Sequence, residues 1–144
     1  MAAKKTLNIS RKTADRIVSE VVERAKQINA SPYPKFMHFV KKIAVFGSYL
    51  TDKEKLGDVD IAVLLERRRE GDCGKHCDPQ DDFYECVRMH NKNVYGFFQV
   101  MDFPYTIARQ TLRNKSKSLS IHEYDELERM IEEWGTEHKV VYQK

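Results

Sequence analysis

The sequence predicts an α+β fold (mixed α/β), a small mixed β-sheet flanked by helices. Three observations carry this. Apolar residues recur at intervals of three and four over 10–29 and again after 120, the period of a helix face. Short runs rich in β-branched and aromatic residues lie between them, over 42–46, 59–65 and 94–102, and read as strands. The resulting order is helix, strand, short helix, strand, helix, strand, helix, helix and a candidate last strand, which suits a sheet covered by helices. At 144 residues the chain fits one domain, 1–144. It divides into a helix and linker over 1–40, a sheet core over 41–103, and helices with a candidate edge strand over 104–144.

The first helix is predicted over 10–29. Ala14, Ile17, Val18, Val21, Val22, Ala25 and Ile28 form its apolar face. Ser10 is placed to cap its start and Asn29 to end it. "SPYPK" at 31–35 breaks the pattern, because two prolines cannot continue a helix. Lys42–Phe46 is the first strand. Gly47-Ser48 ends it, Ser48 is placed to cap a short helix through about Lys53, and Gly57 closes the turn that follows. Val59–Leu65 is the second strand. "ERRREGDCGKHCDPQD" at 66–81 is a loop by composition. A helix over 80–91 places Phe83, Val87 and His90 on one face. "VYGFFQVMD" at 94–102 is nearly apolar along its length, as in a strand covered on both sides. Pro104 then stands at the first turn of a helix, with Ile107, Ala108 and Leu112 inward. "RNKSKS" interrupts it. Ser120-Ile-His-Glu123 matches a capping box, opening a helix with Tyr124, Leu127, Met130, Ile131 and Trp134 on one face and Gly135 at its end. "HKVVY" at 138–142 is the candidate edge strand.

Composition excludes several classes. With 41% hydrophobic and 33% charged residues, the chain reads as an ordinary globular protein. Apolar runs such as Ile61–Leu65 are far too short to span a bilayer, and the first residues show no secretory pattern. Three cysteines, an odd number, fall between Cys73 and Cys86, so a reducing cytoplasm is expected. A net charge of +3 is too small to argue nucleic-acid binding from the total.

The chemistry centres on "FGSYLTDKEKLGDVDIAVLL". Side chains alternate along a strand, so Asp58 and Asp60 share one face while Val59, Ile61 and Val63 take the other. Two like charges about 4 Å apart repel by roughly 4 kcal/mol at an effective dielectric of 20. Such a pair persists where water solvates it, where one acid keeps its proton, or where a cation sits between them. Asp102 ends the run Phe97–Met101. If strand 94–102 lies beside strand 59–65, a third carboxylate reaches the same point. Three carboxylates with water and phosphate oxygens suit Mg²⁺. The alternative for Asp102 is a turn residue before Phe103-Pro104. Gly47 allows close approach of a ligand to the backbone, and the helix start at Ser48 offers N–H groups to phosphate. The alternative there is an ordinary strand-to-helix turn.

With these residues in place, the sequence resembles the nucleotidyltransferase superfamily of DNA polymerase beta. The family signature is a strand ending in Gly-Ser, a spacer of around ten residues, Asp-x-Asp on the next strand, and a third acid on a later strand. Here it reads Gly47-Ser48, a spacer, and Asp58-Val59-Asp60, with Asp102 as the third candidate. The tight match runs from Ile43 to Leu65. The resemblance implies that Gly47 and Ser48 contact the triphosphate of an NTP. It implies two Mg²⁺ ions (Mn²⁺ as a substitute) on Asp58, Asp60 and Asp102, with Asp102 helping to deprotonate the acceptor hydroxyl. The small size resembles the minimal nucleotidyltransferase branch. Its members pair with a helical HEPN-type toxin or form homodimers, and some transfer AMP to a partner protein.

Two features stand outside that pattern. Cys73, His76, Cys77, Cys86 and His90 lie close in sequence, and Cys86 and His90 at i, i+4 could share Zn²⁺ with Cys73 and Cys77. Their spacing fits no common zinc module, and the alternative is a surface loop beside a half-buried Cys86. Arg109, Arg113, Lys115 and Lys117 form a basic block, read either as a solvated helix face or as a strip for nucleic-acid phosphates. Three functions therefore stand: transfer of a nucleoside monophosphate to a hydroxyl on a protein, RNA or small molecule; an antitoxin-like binding module with weak catalysis; and a nucleic-acid-modifying protein.

Overall fold

The computed structural model describes residues 9–68 and 79–144. Its elements are β1 (Ile9–Ser10), α1 (Arg11–Ala30), β2 (His38–Phe46), a 3₁₀ turn (Gly47–Leu50), β3 (Lys55–Leu56), β4 (Val59–Arg67), α2 (Pro79–Met89), α3 (Phe97–Arg113), β5 (Leu119–Glu123), α4 (Tyr124–Trp134) and β6 (His138–Gln143). This is the expected α+β architecture.

α1 forms where its periodicity says it should. The Ser10 side chain accepts a hydrogen bond from Thr13 N at 3.1 Å, satisfying one free donor of the first turn. Ala14, Ile17, Val18, Val21, Ala25 and Ile28 are buried along one stripe. The helix passes Asn29 and ends at Ala30. Asn29 instead fastens α1 to β2, donating to Val40 O at 2.9 Å and accepting from Val40 N at 2.7 Å. It does so at the β2 irregularity between Val40 and Lys42, where its amide supplies bonds that the ladder does not.

The main sheet has the order β5-β4-β2-β6. β2 pairs antiparallel with both β4 and β6, and β4 pairs parallel with β5. A parallel pair needs a long crossover, and α2 and α3 lie within it. β6 lies at an edge of the sheet, as expected. α1, α2 and α3 cover one face, packing on Ile43, Val45, Val59, Ile61, Val63, Leu119 and Ile121. α4 covers the other with Tyr124 and Leu127 against Ala44, Phe46 and Ala62. β1 and β3 pair as a separate two-stranded ribbon.

Several expectations are corrected. The run 94–102 is not a strand. Gly96 takes φ +91° and α3 starts immediately after it. Val100, Phe103, Ile107, Ala108 and Leu112 form one buried helical stripe, whereas Phe98 is 82% exposed, which a doubly covered strand would not allow. Pro104 accordingly lies inside α3 rather than at its first turn. Ser120–Glu123 is not a capping box. Leu119 and Ile121 are buried in alternation on β5, and α4 begins at Tyr124 with no side-chain cap from Glu123. The third sheet neighbour therefore comes from 119–123, so the sheet core extends well beyond 41–103. The segment after Ser48 is a single 3₁₀ turn rather than a helix to Lys53.

β5 is an edge strand, and α3 closes its open side. Tyr105 donates to the Glu123 carboxylate, Arg109 to Ile121 O at 2.8 Å and Arg113 to Leu119 O at 2.6 Å. These side chains recur at i, i+4 and i+8 on α3 and meet alternate residues of β5. The two arginines satisfy carbonyls that would otherwise invite another strand. Half of the basic block is thus engaged within the fold.

Candidate active site

β2 ends where β4 begins, because Phe46 pairs with Asp60. At that corner the chain must reverse immediately, and Gly47 does so at φ +74°. A methyl group placed on Gly47 would lie 2.8 Å from Asp60 Oδ2. The backbone angle favours glycine, and any side chain there would have to turn the Asp60 carboxylate aside. The Ser48 hydroxyl donates to Asp58 O at 3.5 Å, linking the turn to the start of β4. Asp58 is exposed one residue before β4, and Asp60 is half-buried as its second residue. Asp60, paired with Phe46, stands on the α4 face of the sheet, and Asp58 immediately precedes the strand.

The loop from Ser48 to Asp58 is fixed by α1. The Arg11 guanidinium donates to the carbonyls of Tyr49, Thr51 and Lys53 and stacks over the Tyr49 ring at 5.3 Å. Tyr49 OH donates to Asp15 Oδ1 at 2.6 Å. Burial, followed by that bond, pushes the Tyr49 hydroxyl up to about 12, so it stays protonated and keeps donating. β1 pairs with β3 inside the same loop, Ile9 with Leu56. The N-terminal helix is thus the support of the Gly-Ser turn.

The strand beside Asp60 is β5. Its register sets Ser120 against Asp60 and His122 against Ala62, so Ser120 and His122 share the face of Asp60. His122 Nε2 lies 3.3 Å from Asp60 Oδ1 and 3.2 Å from Ser120 Oγ. His122 Nδ1 lies 2.8 Å from Glu126 Oε2 on α4. The ring meets Phe46 edge-on at 5.1 Å between centroids.

Asp102 is placed elsewhere. It is exposed on α3, where its Oδ2 accepts from Thr106 at 3.2 Å. α3 packs on the sheet face opposite to that of Asp60. Asp102 reaches the expected point only as part of a neighbouring strand, and 94–102 does not form one. The sequence reading missed Arg11, Ser120, His122 and Glu126. The period-two alternation of Leu119-Ser-Ile-His-Glu123 was the available signal, masked by its match to a capping box.

Of the Cys/His cluster, Cys73, His76 and Cys77 lie outside the described residues. Cys86 is buried and donates to Lys35 O at 3.4 Å, and His90 Nε2 lies 2.7 Å from the same carbonyl. Burial pushes the Cys86 thiol up to about 12, which keeps it protonated at neutral pH. No helix among the described residues is long and apolar enough to cross a membrane.

The donor chemistry can be set against the cation that the resemblance implies. Two carboxylates two residues apart, completed by phosphate oxygens and water, are a set that Mg²⁺ accepts. Asp58 and Asp60 supply at most two of its donors, since among the described residues no three His, Cys, Asp or Glu side chains gather as a metal site. The third carboxylate needed for a second ion does not stand beside Asp60 on β5, where the register places Ser120 and His122.

No curated protein and no solved structure gives a significant match. The family model of the nucleotidyltransferase domain matches residues 21–143, which takes in the Gly47 turn, both aspartates and the entire main sheet from β2 to β6. The chain therefore belongs to the nucleotidyltransferase domain family.

Proposed function

We propose that the protein transfers a nucleoside monophosphate from an NTP to a hydroxyl on a protein, RNA or small-molecule acceptor. The observation that carries this is the meeting of Gly47 with Asp60. A backbone turn without a side chain is pressed against one carboxylate of an Asp-x-Asp pair, leaving a surface that phosphates can approach closely. Gly47 and Ser48 receive the triphosphate, and Arg11 holds their loop in place. Asp58 and Asp60 hold the divalent cation that accompanies the nucleotide. When bound, that cation offsets charge on the phosphates during displacement of pyrophosphate. The Gly47 turn orients the donor, which is worth more to the rate than added affinity.

The test is label transfer. The protein is incubated with α-labelled NTPs, Mg²⁺ or Mn²⁺ and cell lysate, beside Asp58→Ala/Asp60→Ala. Label on protein, RNA or a small molecule that requires both aspartates supports the reading and identifies the acceptor class. No label above the variant with any NTP removes it.

A second reading has an observation of its own. β5 carries Ser120 and His122 where the family pattern expects an acid, which favours a binding module that neutralises a partner such as a HEPN-type toxin. Under that reading the double variant still binds and neutralises the partner.

A further inference from the structure

The basic block at the end of α3 runs up to the candidate active site. β5 lies parallel to β4 with Leu119 beside Val59, and Val59 N–H donates to Ser118 O at 2.8 Å. The turn over 114–118 therefore passes alongside Asp58, the residue before Val59. Lys115 and Lys117 are exposed on that turn. Asn114 and Lys115 take φ +44° and +64°, which swings the chain from α3 into β5. Glycine would adopt such a backbone more easily than lysine, so the turn itself does not call for Lys115. Exposed cations elsewhere have acids beside them: Arg16 with Glu20, Lys26 with Glu23 and Lys41 with Glu66. Among the described residues no carboxylate forms an ion pair with Arg113, Lys115 or Lys117, Asp58 included. Behind the turn, Tyr105, Arg109 and Arg113 line a groove of about 430 Å³ along the outer edge of β5, interrupted by the acid Asp102. Phe98, 82% exposed, precedes Asp102 by one helical turn on the same face of α3.

We propose that Arg113, Lys115 and Lys117, with the α3 groove behind them, bind the acceptor, and that the acceptor is a single-stranded nucleic acid presenting its terminal hydroxyl to the aspartates. This rests on the reading of the Gly47–Asp60 corner as a nucleotidyl-transfer site. The triphosphate there lies on Gly47 and Ser48, on the β2 side of β4. Attacking and leaving oxygens stand roughly in line on opposite sides of the phosphorus. The acceptor then enters from the other side of β4, where β5 and the 114–118 turn lie. The terminal hydroxyl oxygen bonds to the α-phosphorus, the bond from that phosphorus to pyrophosphate breaks, and the hydroxyl proton passes to water. Three cations without acids in five residues suit a chain of phosphates, whereas a neutral acceptor calls for none of them. The Phe98 ring offers a surface on which an unpaired base can stack, and bases in a duplex are not free to do so.

The probes are fluorescein-labelled single-stranded RNA and DNA oligonucleotides of about 12 nucleotides, titrated with the full chain and followed by anisotropy over a range of KCl. The wild type is expected to bind at least one of them, with log K falling by about 0.7 per unit of log salt for each phosphate neutralised. Lys115→Gln/Lys117→Gln should bind at least about tenfold more weakly at low salt, with a slope smaller by roughly 1.4. Lys26→Gln/Lys41→Gln removes the same charge from α1 and β2 and should bind within about twofold of wild type. With an NTP and Mg²⁺ or Mn²⁺ the wild type should lengthen the strand, and Lys115→Gln/Lys117→Gln should raise KM for the strand but not for the NTP. If neither oligonucleotide binds at low salt, or both double variants weaken binding equally, the inference fails. If α-labelled NTP marks a protein or small molecule and neither strand, the inference fails while the transfer reading stands. If the strands bind through the lysines but no acceptor of any class is labelled, the transfer reading fails and the acceptor surface with it. Circular dichroism of each variant separates lost binding from lost fold.

Discussion

At Gly47 the backbone angle of +74° and the Asp60 oxygen 2.8 Å from a would-be methyl group act together. Gly47→Ala must either flatten the turn or push Asp60 aside. The left-handed backbone alone costs about 1–2 kcal/mol, to be read in urea melts, and NTP-dependent transfer should fall further than stability does. His38 makes a different statement at the same scale. It is buried at the start of β2, stacked edge-on with Tyr105 at 5.5 Å, and its Nδ1 has no hydrogen-bond partner. Burial, aided by the Arg67 charge, holds it down at about 4, from 6.5. Above pH 6.5 both folded and unfolded chains carry a neutral imidazole, and stability is full. As pH falls from 6.5 toward 4, the unfolded chain takes up a proton that the folded chain refuses, so stability declines. His38→Phe keeps the aromatic contact and should remove this part of the acid sensitivity, measured as the difference in urea midpoint between pH 7 and pH 4.5.

Among the elements, two supports of the site lie far from it in sequence. Arg11 binds three carbonyls of the 48–58 loop. Arg11→Met should speed amide exchange across that loop while leaving the sheet protected, at a stability cost of roughly 1–3 kcal/mol. Arg109 and Arg113 close the edge of β5. Arg109→Met/Arg113→Met should free two carbonyls at the edge, lower the melting temperature and promote self-association in light scattering. These elements also show what the sequence could disclose. α1, β2 and β4 were legible because a single local signal fixed each: helical periodicity with a Ser10 cap, and β-branched runs bounded by Gly47 and Asp58. α3 and β5 were not. The "VYGFFQVM" run is apolar enough for either period, and only the tertiary setting leaves Phe98 in solvent. Ser120–Glu123 satisfies a helix-start pattern and a strand alternation equally well, and pairing with β4 decides between them. The Gly47, Ser48, Asp58 and Asp60 positions follow from contiguous sequence. The neighbour of Asp60 depends on which distant segment joins the sheet, and that exchanged Asp102 for His122.

Across the whole molecule, the sheet separates two kinds of work. One face is dry and covered by α1, α2 and α3, with a continuous core from Ala14 to Ile121. The other carries α4 over only part of its width and leaves the corner of Gly47, Asp58, Asp60 and His122 beside it. Asp102 rides on a helix of the first face, which is why it does not join the aspartates. Asp102→Asn should therefore leave cation and NTP binding within about twofold of wild type, against a loss of tenfold or more for substitutions at the corner. The central claim is that this corner holds a nucleotide through a cation on Asp58 and Asp60. The most direct measurement is NTP binding to the wild type and to Asp58→Asn/Asp60→Asn, by equilibrium dialysis with and without Mg²⁺ or Mn²⁺. The account predicts binding that requires the cation and falls at least tenfold in the double variant. NTP binding that is indifferent to both the cation and the two aspartates would contradict it.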